Sequence, residues 1–106
     1  MTVLVKFQAL SNETRFAIVQ LARQGEMSAG AIAKHFKLTR PAVSQHLRTL
    51  RTAGLLCERR EGSKRIYTVR EEGFDELAEF IENFWRLRLR KLKLSAESAE
   101  RRGSKK

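Results

Sequence analysis

The sequence predicts a mainly α (α+β) domain with the element order α-α-α-α-β-β-α, on three observations. Four successive segments up to Gly54 carry apolar residues at helical spacing between cap and stop signals. The pattern then becomes extended around Gly62-Ser63, and from Glu71 a long amphipathic stretch restores the helical period. A chain of 106 residues, 42% of them apolar, has the size of one domain with a modest core.

Val3, Leu4, Phe7 and Leu10 outline the first helix, which ends at Ser11-Asn12, where a side-chain oxygen can cap a second helix from Asn12 to about Arg23. The apolar positions Phe16, Ile18, Val19, Leu21 and Ala22 cover more than one stripe, predicting a central helix touched on several sides and stopped by Gly25. Ser28 caps a short third helix, with Ala29, Ile32, Ala33 and Phe36 at i, i+3, i+4 and i+7. After the link Lys37-Leu38, Thr39 caps a fourth helix whose first turn holds Pro41, where a missing N–H does no harm. It runs to Ala53 and ends at Gly54.

LLCERRE and KRIYTV on either side of Gly62-Ser63 read as a β-hairpin. Glu71 to Leu94 is the longest helical stretch. Its acidic start (Glu71, Glu72, Asp75, Glu76) and basic end (Arg86, Arg88, Arg90, Lys91, Lys93) both complement the helix dipole. Residues 95–106, SAESAERRGSKK, hold no large apolar group and are expected to form a basic, disordered tail beyond a folded domain of residues 1–94. Two helices joined by a very short link and followed by a hairpin make a winged helix-turn-helix.

Several functions are disfavoured. There is no run of 18 uncharged apolar residues, and the N-terminus has neither a charged leader nor a small-residue cleavage site, so neither a membrane span nor a secretory signal is expected. The single cysteine, Cys57, cannot close an internal disulfide or supply paired thiolates, which points to a fold held by packing in a reducing cytoplasm. His35, His46 and Cys57 lie on different elements without the short paired spacing of zinc ligands, so no metal and no cofactor is expected. No glycine-rich phosphate loop and no nucleophile or paired-carboxylate constellation stands out, so the chain is not expected to be an enzyme.

The net charge of +10 is unevenly spread: residues 39–70 hold eight basic and only two acidic groups. That segment is the expected footprint of a polyanion. On the fourth helix Val43, Leu47 and Leu50 cluster within about 60°. Pro41, Gln45, Arg48, Thr49 and Thr52 point the opposite way, with Ser44 and Arg51 on one flank and His46 on the other. With no acid between Arg40 and Leu56, this face suits a groove of double-stranded DNA.

Each side chain then has an expected role. Gln45 can pair with the N6 and N7 edge of adenine, Arg40 can fork onto guanine O6 and N7, and Ser44 can reach a base edge or a phosphate. Thr39, Arg48 and Arg51 are expected on the DNA backbone, and the hairpin's Arg59, Arg60, Lys64 and Arg65 would track backbone or enter a minor groove. Taken singly, these features are ordinary solvated surface; their coincidence predicts DNA binding. Two alternatives remain. One is a protein-interaction module that uses the last helix. The other is a redox-responsive regulator acting through Cys57, whose thiolate Arg59 and Arg60 would stabilise, against its plainer role as a small hydrophobe at the base of the wing.

The last helix carries more apolar surface than closing one small domain requires. Phe74, Leu77, Ala78, Ile81, Phe84, Trp85, Leu89 and Leu92 form a broad stripe that Phe80 and Leu87 widen. The expected use is a homodimer interface built from Leu4 and Phe7 of the first helix with Phe74, Leu77, Ile81, Phe84 and Trp85 of the last. An anionic membrane as the alternative partner would repel the acidic first half of the same helix, so no membrane partner is expected.

The stretches FQALSNETRFAIVQLA, MSAGAIAKHFKLTRPAVSQHLRTLRTAGLL and RREGSKRIYTV resemble the ArsR-type bacterial repressors over about residues 4–85. The resemblance implies a homodimeric winged-helix repressor that binds a palindromic site near its own promoter and is released by a signal. It also implies that Ser44 and Gln45 lie in the major groove and that the first and last helices form the dimer interface. Metal-sensing members carry closely spaced cysteines between the third and fourth helices, or His and acidic ligands on the last helix. Here KHFKLTRPAV has no cysteine and the last helix no histidine, so metal sensing is not implied and the inducer is unknown.

Overall fold

Side-chain caps set the helix starts. The Asn12 side chain accepts from the Arg15 N–H at 3.0 Å, Ser28 Oγ from Ala31 N–H at 3.1 Å, and Thr39 Oγ1 from Ala42 N–H at 3.3 Å. In the computed structural model, which describes residues 3–103, the resulting elements are α1 (Val3–Leu10), α2 (Glu13–Gln24), β1 (Met27–Ser28), α3 (Ala29–Phe36), α4 (Arg40–Thr52), β2 (Leu56–Glu61), β3 (Lys64–Val69) and α5 (Glu71–Gly103). This is the winged helix-turn-helix expected from the sequence, with one added element. β1 pairs antiparallel with β3 (Met27 with Tyr67, Ser28 with Ile66), making a sheet of order β1-β3-β2. Two residues carry no alternation that a sequence pattern can reveal, and only the exposed edge of β3 makes them a strand.

α3 and α4 close in the same way. Leu38 N–H donates to Ala33 O at 3.0 Å and Lys37 N–H to Lys34 O at 3.4 Å; Leu55 N–H donates to Leu50 O at 3.0 Å and Gly54 N–H to Arg51 O at 2.9 Å. Both are Schellman closures, which need a left-handed residue after the helix. Gly54 adopts φ 80° without strain, whereas in the turn between α3 and α4 that position is held by Lys37 at φ 55°. Arg15 ties α1 to α2 by donating from Nε to the Ala9 carbonyl at 2.6 Å.

The chain falls into two compact units, Met1–Glu76 and Leu77–Lys106. In the first, the core is built from Ile18, Val19 and Ala22 of α2, Ile32 and Ala33 of α3, Val43, Leu47 and Leu50 of α4, and Leu55, Leu56 and Tyr67. Phe16, expected among these, is exposed, because it lies about 160° around α2 from Ile18. α1 buries Lys6 and Ala9, while Leu4 and Phe7 face outward. The Lys6 side chain donates to the Gly73 carbonyl at 2.8 Å and pairs with Glu76 at 3.0 Å.

The second unit is the remainder of α5. The helix continues to Gly103, so the disorder expected from residue 95 onward is corrected over residues 95–103; residues 104–106 lie outside the described residues. SAESAERR contains good helix formers and no Gly or Pro, so nothing local stops the helix before Gly103. Among the described residues no helix is long and apolar enough to cross a membrane.

Candidate nucleic-acid interface

Burial of one side of α4 determines what the other side presents. Val43, Leu47 and Leu50 are at most 1% exposed, while Arg40, Pro41, Ser44, Gln45, Arg48, Arg51 and Thr52 lie at the surface. His46 is half-buried on the flank. Desolvation, together with the nearby Arg15 charge, lowers its pKa, which favours a neutral packing imidazole. Thr49 Oγ1 donates to the Gln45 backbone carbonyl at 3.0 Å, so its hydroxyl is turned back onto the helix.

The wing is shaped by its turn. Gly62, at φ 64°, takes the first central position of a two-residue hairpin connection, where a positive φ is required. The register follows: Glu61 opposite Lys64, Arg60 opposite Arg65, Arg59 opposite Ile66 and Glu58 opposite Tyr67. β2 and β3 lie beside α4, so two shallow clefts connect them. One is lined by Ser44, Arg48, Arg51, Glu58, Arg65 and Tyr67; the other by Ser28, Gly30, Arg40, Ser63, Lys64 and Arg65 among others. The structure therefore brings Arg40, Ser44, Arg48 and Arg51 together with Lys64 and Arg65. In the second cleft Arg40 Nη1 lies 3.3 Å from where a Cβ on Gly30 would stand.

Two of the expected backbone contacts are already engaged. Arg59 is on the opposite face of β2 from Glu58, and its Nη2 reaches Glu26 at 2.6 Å and Glu61 at 2.9 Å. Those two carboxylates hold the guanidinium pKa above its ordinary range. In the absence of DNA the Arg59 guanidinium is thus shared between two exposed carboxylates. Arg51 bonds the Glu58 carboxylate, which also accepts from the Tyr67 phenol at 3.0 Å and lies 3.8 Å from Arg65 Nε. Burial and the Glu58 bond raise the Tyr67 pKa, so the phenol stays protonated and keeps donating.

Glu58 lies just beyond the acid-free stretch between Arg40 and Leu56, so the charge pattern of α4 does not reveal it. A signal existed: a two-residue turn at Gly62-Ser63 sets residue 58 opposite residue 67. Cys57 is exposed on β2 rather than buried in the base of the wing. His35 is exposed, its ring edge-on to Phe36 at 4.8 Å. Among the described residues no His, Cys, Asp and Glu group is arranged to hold a metal ion.

Of the expected dimer residues, Leu4, Phe7, Ile81, Phe84 and Trp85 are exposed. Phe74 is half-buried and lines a cavity with Ala22, Val69 and Asp75. Leu77 is a correction: it is 5% exposed within one chain and has little surface left for a partner.

The pattern of the family described as "Bacterial regulatory protein, arsR family" matches residues 12–57. The chain is 40% identical over 79 residues to an HTH-type transcriptional regulator of Mycobacterium tuberculosis, covering 74% of each protein. It is 33% identical over 78 residues to the transcriptional repressor SdpR of Bacillus subtilis, covering 74% of this chain and 87% of that one. Among solved structures it is similar to the homodimeric winged helix-turn-helix DNA-binding domain of a possible ArsR-family transcriptional regulator from Mycobacterium bovis. That match has a TM-score of 0.66 and 30% identity, and covers 77% of this chain and 76% of the other.

Proposed function

The chain belongs to the arsR family of bacterial regulatory proteins, a family of transcriptional regulators rather than enzymes, and on that premise we propose that it is a homodimeric repressor that binds a palindromic operator. The observation that carries this reading is the division of α4. Its Val43, Leu47 and Leu50 side is sealed in the core, while its Ser44, Gln45 and Arg48 side faces outward beside a cationic wing.

Ser44 and Gln45 meet base edges in the major groove, and Thr39, Arg48, Arg51, Lys64 and Arg65 meet phosphates. Arg40 lines the second cleft beside Lys64 and Arg65, and from there can fork onto guanine O6 and N7. Arg60 and Arg65 stand directly opposite each other across the hairpin, a like-charge pair that Glu58, 3.8 Å from Arg65 Nε, offsets on one side and that favours a further anion along the wing. A DNA backbone along the wing supplies that anion.

The second copy doubles these contacts. Two recognition helices about 34 Å apart read successive major-groove faces of a palindrome. The exposed Ile81, Phe84 and Trp85 of α5, with Leu4 and Phe7 of α1, supply apolar surface for the pairing. Such a protein acts where the DNA is, in the cytoplasm, and represses by excluding polymerase. A footprint on the DNA upstream of its own coding region tests the reading. The expected result is a protected palindrome with half-sites one helical turn, or a multiple of it, apart; uniform protection of all sequences would refute it.

A further inference from the structure

We propose that Glu58 restrains non-specific DNA binding by holding a negative charge, and the guanidinium of Arg51, inside the cationic face. The inference rests on the DNA-binding reading above. The hairpin register places Glu58 directly opposite Tyr67, whose phenol donates to Oε2 at 3.0 Å. Arg51 of α4 bonds the same oxygen, and Arg65 Nε lies 3.8 Å from Oε1. With its side chain only 19% exposed, the carboxylate is held in place at the junction of recognition helix and wing. It is the one acid lining a cleft shared with Ser44, Arg48, Arg51 and Arg65.

A carboxylate at this place opposes binding in two ways. It repels phosphate directly, and it leaves Arg51 partly neutralised in the free protein. On a random duplex affinity comes almost wholly from counterion release, so each cation withheld lowers it. On the operator, base contacts from Ser44 and Gln45 fix the register and hold a phosphate close enough to Arg51 to compete with Glu58. The restraint thus falls more heavily on random DNA. Because a genome offers on the order of a million or more competing sites, the ratio of the two affinities is what matters.

Glu58→Gln isolates the charge, since the amide oxygen can still accept from Tyr67 and Arg51. The probes are a random-sequence duplex of about 30 bp, long enough for two half-sites one turn apart, and a duplex of equal length selected from a random pool by the wild-type protein. Glu58→Gln should bind the random duplex about 3- to 10-fold tighter at low salt. The slope of log affinity against log salt should steepen by about 0.9 per protomer, and selectivity for the selected duplex should fall. Adding Arg51→Gln should restore the wild-type slope. Tyr67→Phe, which removes the phenol bond but keeps the charge, should leave slope and selectivity unchanged, separating charge from wing geometry. Unchanged or weaker random-duplex binding by Glu58→Gln, with wild-type selection intact, overturns the inference and leaves the functional reading standing. If the wild-type protein selects no sequence at all, the functional reading fails and this inference fails with it.

Discussion

Gly73 packs against the carbonyl of Gly54 so closely that a Cβ at position 73 would stand 1.8 Å from that oxygen. The start of α5 therefore rests on the turn that ends α4, and Gly54, at φ 80°, holds that turn in a conformation suited to glycine. Gly73→Ala forces backbone apart where no flexible side chain can yield. The expected cost is about 1 to 3 kcal/mol or more, read as a lower denaturant midpoint with unchanged slope. A variant as stable as wild type would show that the two turns are not held together as described.

Lys6, 1% exposed, donates to the Gly73 carbonyl and pairs with Glu76, and its bond and charge lower the Glu76 pKa below the ordinary 4.5. Above that ordinary value Glu76 is ionised in both folded and unfolded chains, so its contribution to stability is complete. As pH falls the unfolded chain takes up the proton first, and the contribution is lost through the lowered folded-state pKa. Lys6→Met keeps the volume and removes the partner. Denaturation near neutral pH and at about pH 3 should show wild type losing more stability than Lys6→Met. Parallel losses in both proteins would exclude the pair as their source.

Lys37 holds the left-handed position that closes α3. Glycine adopts that conformation without the Cβ clash, so Lys37→Gly should stabilise the domain by about 1 kcal/mol. Thermal melts at one pH and salt concentration are the check, and a lower melting temperature would contradict the strain assigned there.

Gln45 and the wing should separate specificity from affinity. Gln45→Ala should lower discrimination between operator and mutated sites by about 1 to 3 kcal/mol at one base position. Lys64→Ala or Arg65→Ala should weaken all duplexes alike and flatten the salt dependence by about 0.9 per protomer. Competition titrations at two salt concentrations read both quantities. Equal losses on specific and random DNA for Gln45→Ala would remove it from the base-reading set.

The exposed apolar stripe of α5 should hold the dimer together. Phe84→Glu places a charge on that stripe and should shift the protein to monomer in sedimentation equilibrium, with a loss of 2 kcal/mol or more if the residue is a central anchor. The monomer should keep its melting transition while losing operator affinity, because the paired recognition helices are uncoupled. A dimer of wild-type strength would move the interface elsewhere.

Chemistry within a few residues of chain accounts for the Asn12, Ser28 and Thr39 caps, the inward side of α4, and the turn at Gly62-Ser63. These are legible because capping, helical period and hairpin register act over neighbours that the chain already holds close. Packing of distant elements makes β1 a strand, turns Lys6 inward to a carbonyl 67 residues away, and lets Arg59 reach back 33 residues to Glu26. It also places Glu58 against Arg51, at the junction of wing and recognition helix. Those pairings bring together charged or edge groups whose partners depend on how separate elements pack, and charge pattern along a chain carries no record of that packing.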